Sequence, residues 1–115
     1  MTTRELGDLL LQQFSDIVIS VQINTGRVRA ILRDESFIDI WFNDRGKYSY
    51  HWQEGRGAIY RFNNAPHHPE ILTHPHHFHD GSQENIRESS VSGVTPQDVE
   101  IIMNFIRHHV NARGL

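Results

Sequence analysis

The stretch that decides the fold runs Phe37-Ile38-Asp39-Ile40-Trp41-Phe42-Asn43-Asp44-Arg45-Gly46-Lys47-Tyr48-Ser49-Tyr50-His51-Trp52-Gln53-Glu54-Gly55-Arg56-Gly57-Ala58-Ile59-Tyr60-Arg61-Phe62-Asn63. Ile38, Ile40 and Phe42, then Tyr48, Tyr50 and Trp52, then Ala58, Tyr60 and Phe62 recur at every second position. That is the period of a strand with one buried face. Asp44-Arg45-Gly46 and Gly55-Arg56-Gly57 separate the runs, and a three-residue loop with glycine in the left-handed position closes a hairpin. Read this way, Phe42 lies opposite Tyr48 and Tyr50 opposite Phe62, aromatic against aromatic. A slip of one residue would mix the two faces. The other face is fixed by the same register: Asp39 beside His51 and His51 beside Arg61, with Trp41, Ser49 and Asn63 in the neighbouring row.

Outward from this core the alternation continues. Ile17, Ile19, Val21 and Ile23 alternate with Val18, Ser20 and Gln22, Asn24-Thr25-Gly26 makes a turn, and Val28, Ala30 and Leu32 carry the next strand. At the start, Thr2-Thr3-Arg4-Glu5 reads as a capping box, and Leu6, Leu9, Leu10 and Phe14 follow helical spacing over residues 3–14. Thr95-Pro96-Gln97-Asp98 opens a last helix with Thr95 as its cap; Val99, Ile102, Met103, Ile106 and Val110 form its apolar stripe, and Gly114 follows its end. Between the meander and that helix the pattern allows a short strand near residues 76–79 and a loop over 80–85. The expected fold is α+β: an antiparallel meander of five to six strands with an N-terminal and a C-terminal helix packed on one face, in a single domain spanning 1–115.

Composition narrows the chemistry. A chain of 115 residues can bury a core without a disulfide or structural metal, and the absence of cysteine excludes disulfides, thiolate zinc sites and a cysteine nucleophile. A net charge of −3 with neutral histidines argues against a free-standing duplex-DNA binder. No apolar run reaches the roughly 20 residues that span a bilayer, and the N-terminus lacks the layout of a signal peptide, so no membrane association and a cytoplasmic location are expected.

Six of the nine histidines fall in one segment, at 67, 68, 74, 76, 77 and 79. Histidine titrates near neutrality and ligates transition metals, so three uses compete. A metal is the first: His74 and His76 share a face if the segment is extended, as do His77 and His79, although Pro75 interrupts the ladder. Glu70 and Asp80 are the local carboxylates. Acid–base catalysis is the second. Cleaving RNA without metal needs a base for the 2′-hydroxyl, an acid for the leaving oxygen and a cation against the phosphate, which two histidines and Arg61 can supply. In that reading Asp39 orients and charges His51. A structural role in holding the proline-rich connection is the third, and His108 and His109 near the last helix's end fit it.

Tyr48-Ser49-Tyr50-His51-Trp52-Gln53, Ile59-Tyr60-Arg61-Phe62-Asn63-Asn64-Ala65-Pro66-His67-His68 and His74-Pro75-His76-His77-Phe78-His79 together resemble the TumE family of small prokaryotic toxins. Arg61, Asn64, His67, His68, His76, His77 and His79 match its motif positions, and His51 matches more loosely. The resemblance implies a toxin of a toxin–antitoxin pair, partnered by a helix-turn-helix antitoxin, with RNA as substrate. The reading carried forward is a metal-independent ribonuclease. His51, Arg61, His67, His68 and His77 are its catalytic candidates, and Asp39, Ser49, Asn64 and His79 its substrate contacts. No cofactor is expected in that reading. The alternatives are a protein binding zinc, another transition metal or haem through His74, His76, His77 and His79, and a non-catalytic interaction domain. Oligomeric state stays open, a homodimer included.

Overall fold

The computed structural model describes residues 1–112. The order is α1 (Thr3–Gln13), β1 (Val18–Asn24), β2 (Arg27–Leu32), β3 (Phe37–Phe42), β4 (Tyr48–Gln53), β5 (Ile59–Asn63), β6 (His77–Gly81), β7 (Ile86–Glu88) and α2 (Pro96–Ala112). The seven strands form one antiparallel sheet in chain order. Phe42 pairs with Tyr48 and Tyr50 with Phe62, as the two loops require. Both loops close alike: Asn43 N–H donates to Lys47 O at 3.1 Å and Glu54 N–H to Ala58 O at 3.0 Å, with Gly46 at φ 82° and Gly57 at φ 96°. A Cβ is disfavoured at those angles, which is why glycine stands there.

The sheet has one strand more than the upper end of the expected range. β6 is the short strand anticipated near residues 76–79. β7 has three residues with a single apolar side chain, too few to show a period, and it forms because β6 offers it an open edge. The expected parity of the first strand also needs correcting. A bulge between Val18 and Ser20 shifts the register, so Val18 pairs with Leu32 while Val21 pairs with Ala30. Ile19 is pushed outward to 61% exposure, and Ile17 and Val18 are both buried. An inserted residue switches faces midway along a strand, and simple alternation cannot foresee it.

Both helices cover the aromatic face. Leu6 and Leu10 of α1 and Val99, Ile102, Met103, Ile106 and Val110 of α2 share one buried cluster with Val28, Ala30, Ile38, Ile40, Tyr50, Trp52 and Phe62 of the sheet. The Thr2–Glu5 capping box starts α1, and Thr95 with Asp98 forms the equivalent reciprocal pair before α2. Gly114 lies outside the described residues. Buried tyrosines are pinned at their polar ends: Tyr50 Oη donates to Gly93 O at 2.7 Å. At one end of the layer, Arg107 of α2 grips Asp16 with two hydrogen bonds of 2.7 and 2.8 Å, which holds the Asp16 carboxyl below its ordinary range. Among the described residues no helix is long and apolar enough to cross a membrane.

The one-sided packing of α2 has a direct consequence. Ile106, 1% exposed, faces the sheet, and Ile101, 43% exposed, faces away. Ile106→Ala is expected to cost about 2–5 kcal/mol and Ile101→Ala within about 0.5 kcal/mol. Urea denaturation checks this as a lowered midpoint with unchanged slope for the first variant only.

Candidate functional site

With the helices on one face, the other face carries a run of polar residues from β2 to β6. Two cross-strand rows result: Arg29–Asp39–His51–Arg61–His79 and Trp41–Ser49–Asn63–His77. Residues directly opposite in an antiparallel pair stand close enough to interact, and here the contacts are specific.

Asp39 does not serve His51. Its carboxylate is held by Arg29 from the other side, with Nε to Oδ1 at 2.8 Å and Nη2 to Oδ2 at 2.9 Å, a two-pronged pair. His51 is turned instead toward Arg61, whose Nε and Nη2 lie 3.2 and 3.1 Å from its Nδ1. A guanidinium only donates, so Nδ1 accepts and the ring proton sits on Nε2. Burial first, and the positive charge of Arg61 second, lower the His51 pKa below 6.5, with Asp39 opposing weakly. His51 is therefore a neutral hydrogen-bond donor rather than the charged imidazolium expected beside an aspartate.

The connection from β5 to β6 folds back over this face. Asn64, expected to touch substrate, spends both ends of its amide on the scaffold: Oδ1 accepts from Tyr48 N–H at 3.2 Å and Nδ2 donates to Gly46 O at 2.8 Å. It fixes the exit of β5 against the β3–β4 loop. Trp41, Lys47, Ser49, His51, Arg61 and His67 then surround a cleft of about 430 Å³. From sequence alone Trp41 is a row neighbour, and nothing singles out Lys47. Only the folded-back connection makes them walls of one cavity.

The segment's histidines separate into two groups. His68 packs on His77 and His79, with ring centroids 4.8 and 6.0 Å away and 4.9 Å between the latter two, all nearly perpendicular. One nitrogen from each ring lies within 4.8 Å of the others. His77 and His79 are buried on the strand, 2% and 7% exposed, so His77 does not reach open solvent as a catalytic group facing substrate should. Burial lowers the pKa of both, opposed by hydrogen bonds to Pro75 and Gln83 carbonyls and reinforced by neighbouring histidines and, for His79, by Arg61. The expected ligand set of His74, His76, His77 and His79 is divided by the fold. Residues 72–75 form a turn, not an extended strand, leaving His74 exposed. His76 Nδ1 sits 2.8 Å from Tyr48 Oη, with the rings stacked. His109 packs against Trp52, Tyr60 and Phe105 and bonds Phe105 O, a structural placement.

The lowered pKa values set a pH dependence. The unfolded chain takes up protons at the ordinary 6.5, before folded His51, His77 and His79 do. Stability is thus fully present above that value and is lost as pH falls through the folded-state pKa values. The thermal midpoint is expected to drop between about pH 7 and pH 5, and His51→Gln, which keeps an acceptor for Arg61, should make the drop shallower. Calorimetry across that range measures it.

The family model described as Toxin TumE matches residues 7–110, from α1 through most of α2. No curated protein and no solved structure matches the chain. The matched region includes all seven strands, the cleft and the three packed histidines, and the chain belongs to the TumE toxin family.

Proposed function

We propose that the protein is the toxin of a toxin–antitoxin pair and that it cleaves RNA at the cleft on the open face, without a metal. One observation carries the reading: a single cavity is lined at once by two cations, Lys47 and Arg61, two imidazoles, His51 and His67, and the indole of Trp41. Cations bind and stabilise a phosphodiester, an exposed aromatic ring stacks a base, and imidazoles move protons. The partner implied by the family is an antitoxin, with the helix-turn-helix class as the specific expectation.

The roles follow from the hydrogen bonding. Arg61 and the Nε2–H of His51, joined through Nδ1, act as one donor unit toward the phosphate. Lys47, which also lines the cleft, adds charge. Proton transfer falls to His67, which lines the cleft, and to His68, its neighbour in the chain, neither of which is buried. One takes the 2′-hydroxyl proton as its oxygen attacks phosphorus, and the other protonates the departing 5′-oxygen. The products are a 2′,3′-cyclic phosphate and a 5′-hydroxyl, with one proton accepted and one returned. Ser49 and Asn63 line the cleft floor as hydrogen-bonding contacts, while Asp39, held by Arg29, shapes the face rather than the chemistry.

The test is cleavage of a single-stranded RNA by purified protein in a chelating buffer, with the fragment ends identified. Cyclic phosphate ends are expected, with Arg61→Ala and His68→Ala each slowing cleavage by about 100-fold or more and relieving growth arrest in cells that lack an antitoxin. Persistent toxicity with His67, His68 and His77 all changed to alanine would sink the histidine mechanism.

A further inference from the structure

We infer that His68, His77 and His79 form a binding site for one divalent transition-metal ion, with zinc the best chemical match. Three observations converge on it. The candidate nitrogens lie within 4.8 Å of one another. Two imidazole nitrogens on a tetrahedral zinc stand roughly 3.4 Å apart, given bonds of about 2.0–2.1 Å, so small ring adjustments within the cluster close the set.

Each ring is also oriented from outside. His77 Nδ1 lies 3.1 Å from Pro75 O, His79 Nδ1 2.9 Å from Gln83 O and His68 Nδ1 3.3 Å from a carboxylate oxygen of Glu70. A carbonyl only accepts, so His77 and His79 are set with hydrogen on Nδ1 and a lone pair on Nε2, and the nearby Glu70 carboxylate favours the same tautomer at His68. A metal-bound histidine is held in the same way, its second nitrogen donating to a carbonyl or carboxylate. Both strand histidines show that pattern, and the third has a carboxylate in contact with its Nδ1.

Finally, two of the ligands sit on a rigid element. His77 and His79 are two residues apart on β6, on one face of a strand paired on both sides, and both are buried. Three imidazoles without a bound carboxylate favour zinc, copper or nickel over magnesium or calcium, and a three-histidine set leaves a fourth position for water. The ligands differ from those that spacing alone pointed to, since His74 and His76 face elsewhere. The inference does not rest on RNA cleavage, and its test contains no RNA.

The full, untagged chain, stripped with chelator and dialysed, is titrated with ZnCl2 by calorimetry and with CoCl2 by visible absorption. One ion per chain is expected, with the cobalt bands of a low-coordinate nitrogen site and a thermal midpoint raised by zinc. His68→Ala should weaken zinc binding by about 100-fold and Glu70→Gln by about 10-fold, while His74→Ala leaves it unchanged. If His79→Gln fails to fold, His68→Ala decides alone, because that side chain is partly exposed. The site is overturned if no stoichiometric binding occurs, if His68→Ala binds as the parent does, or if His74→Ala loses as much as His68→Ala, the mark of adventitious surface histidines.

Discussion

The register of β4 between β3 and β5 is the constraint on which the rest of the molecule depends. Because side chains alternate across a strand, one registration serves two purposes at once. It aligns Ile40, Tyr50 and Phe62 under the helices, and it aligns Asp39, His51 and Arg61 on the opposite surface. A slip that exposed the aromatic row would bury the charged one, so hydrophobic burial, the larger energy, enforces the geometry of the polar face. The two glycine-ended loops set this register locally, and the core makes it unique.

Within the polar face, a competition among cations decides what each group can do. Arg29 captures Asp39, which frees Arg61 from any carboxylate in its own row. Arg61 then donates to the neutral ring of His51, and its charge helps keep His51 and His79 deprotonated. A guanidinium without a carboxylate partner among the described residues, beside neutral imidazoles, can take an anion from outside. This arrangement supports a phosphodiester substrate better than the net acidic charge of the chain would indicate, since local potential governs binding at a cleft.

The two uses of the histidine segment exclude one another at His68. A lone pair on Nε2 either ligates an ion or accepts a proton. If the chain uses both the proposed proton-transfer pair and the proposed three-histidine site, the two are coupled: an occupied site would withdraw His68 from the chemistry. His67 belongs to the cleft and stays outside the cluster, and the buried His77 and His79 anchor the cluster to the sheet.

The α+β class, the meander, both helix caps and the pairing of Asp39 with His51 and of His51 with Arg61 were legible from sequence alone. Each follows from short-range rules: a period of two, a period of 3.6, and glycine where a left-handed residue closes a loop. The partner of Asp39 was not legible, because the loop into β3 turns at Glu35, φ 72°, a residue type that gives no left-handed signal, so Arg29 could not be aligned with it. The bulge in β1 and the three-residue β7 escaped for a similar reason, since neither has enough residues to declare a period. Which histidines meet was decided only by the tertiary structure. His68 reaches His77 and His79 because the connection folds back across the open face, while a turn sends His74 outward and Tyr48 captures His76. Spacing along a chain reports faces of regular elements, and a loop has no such face until something packs against it.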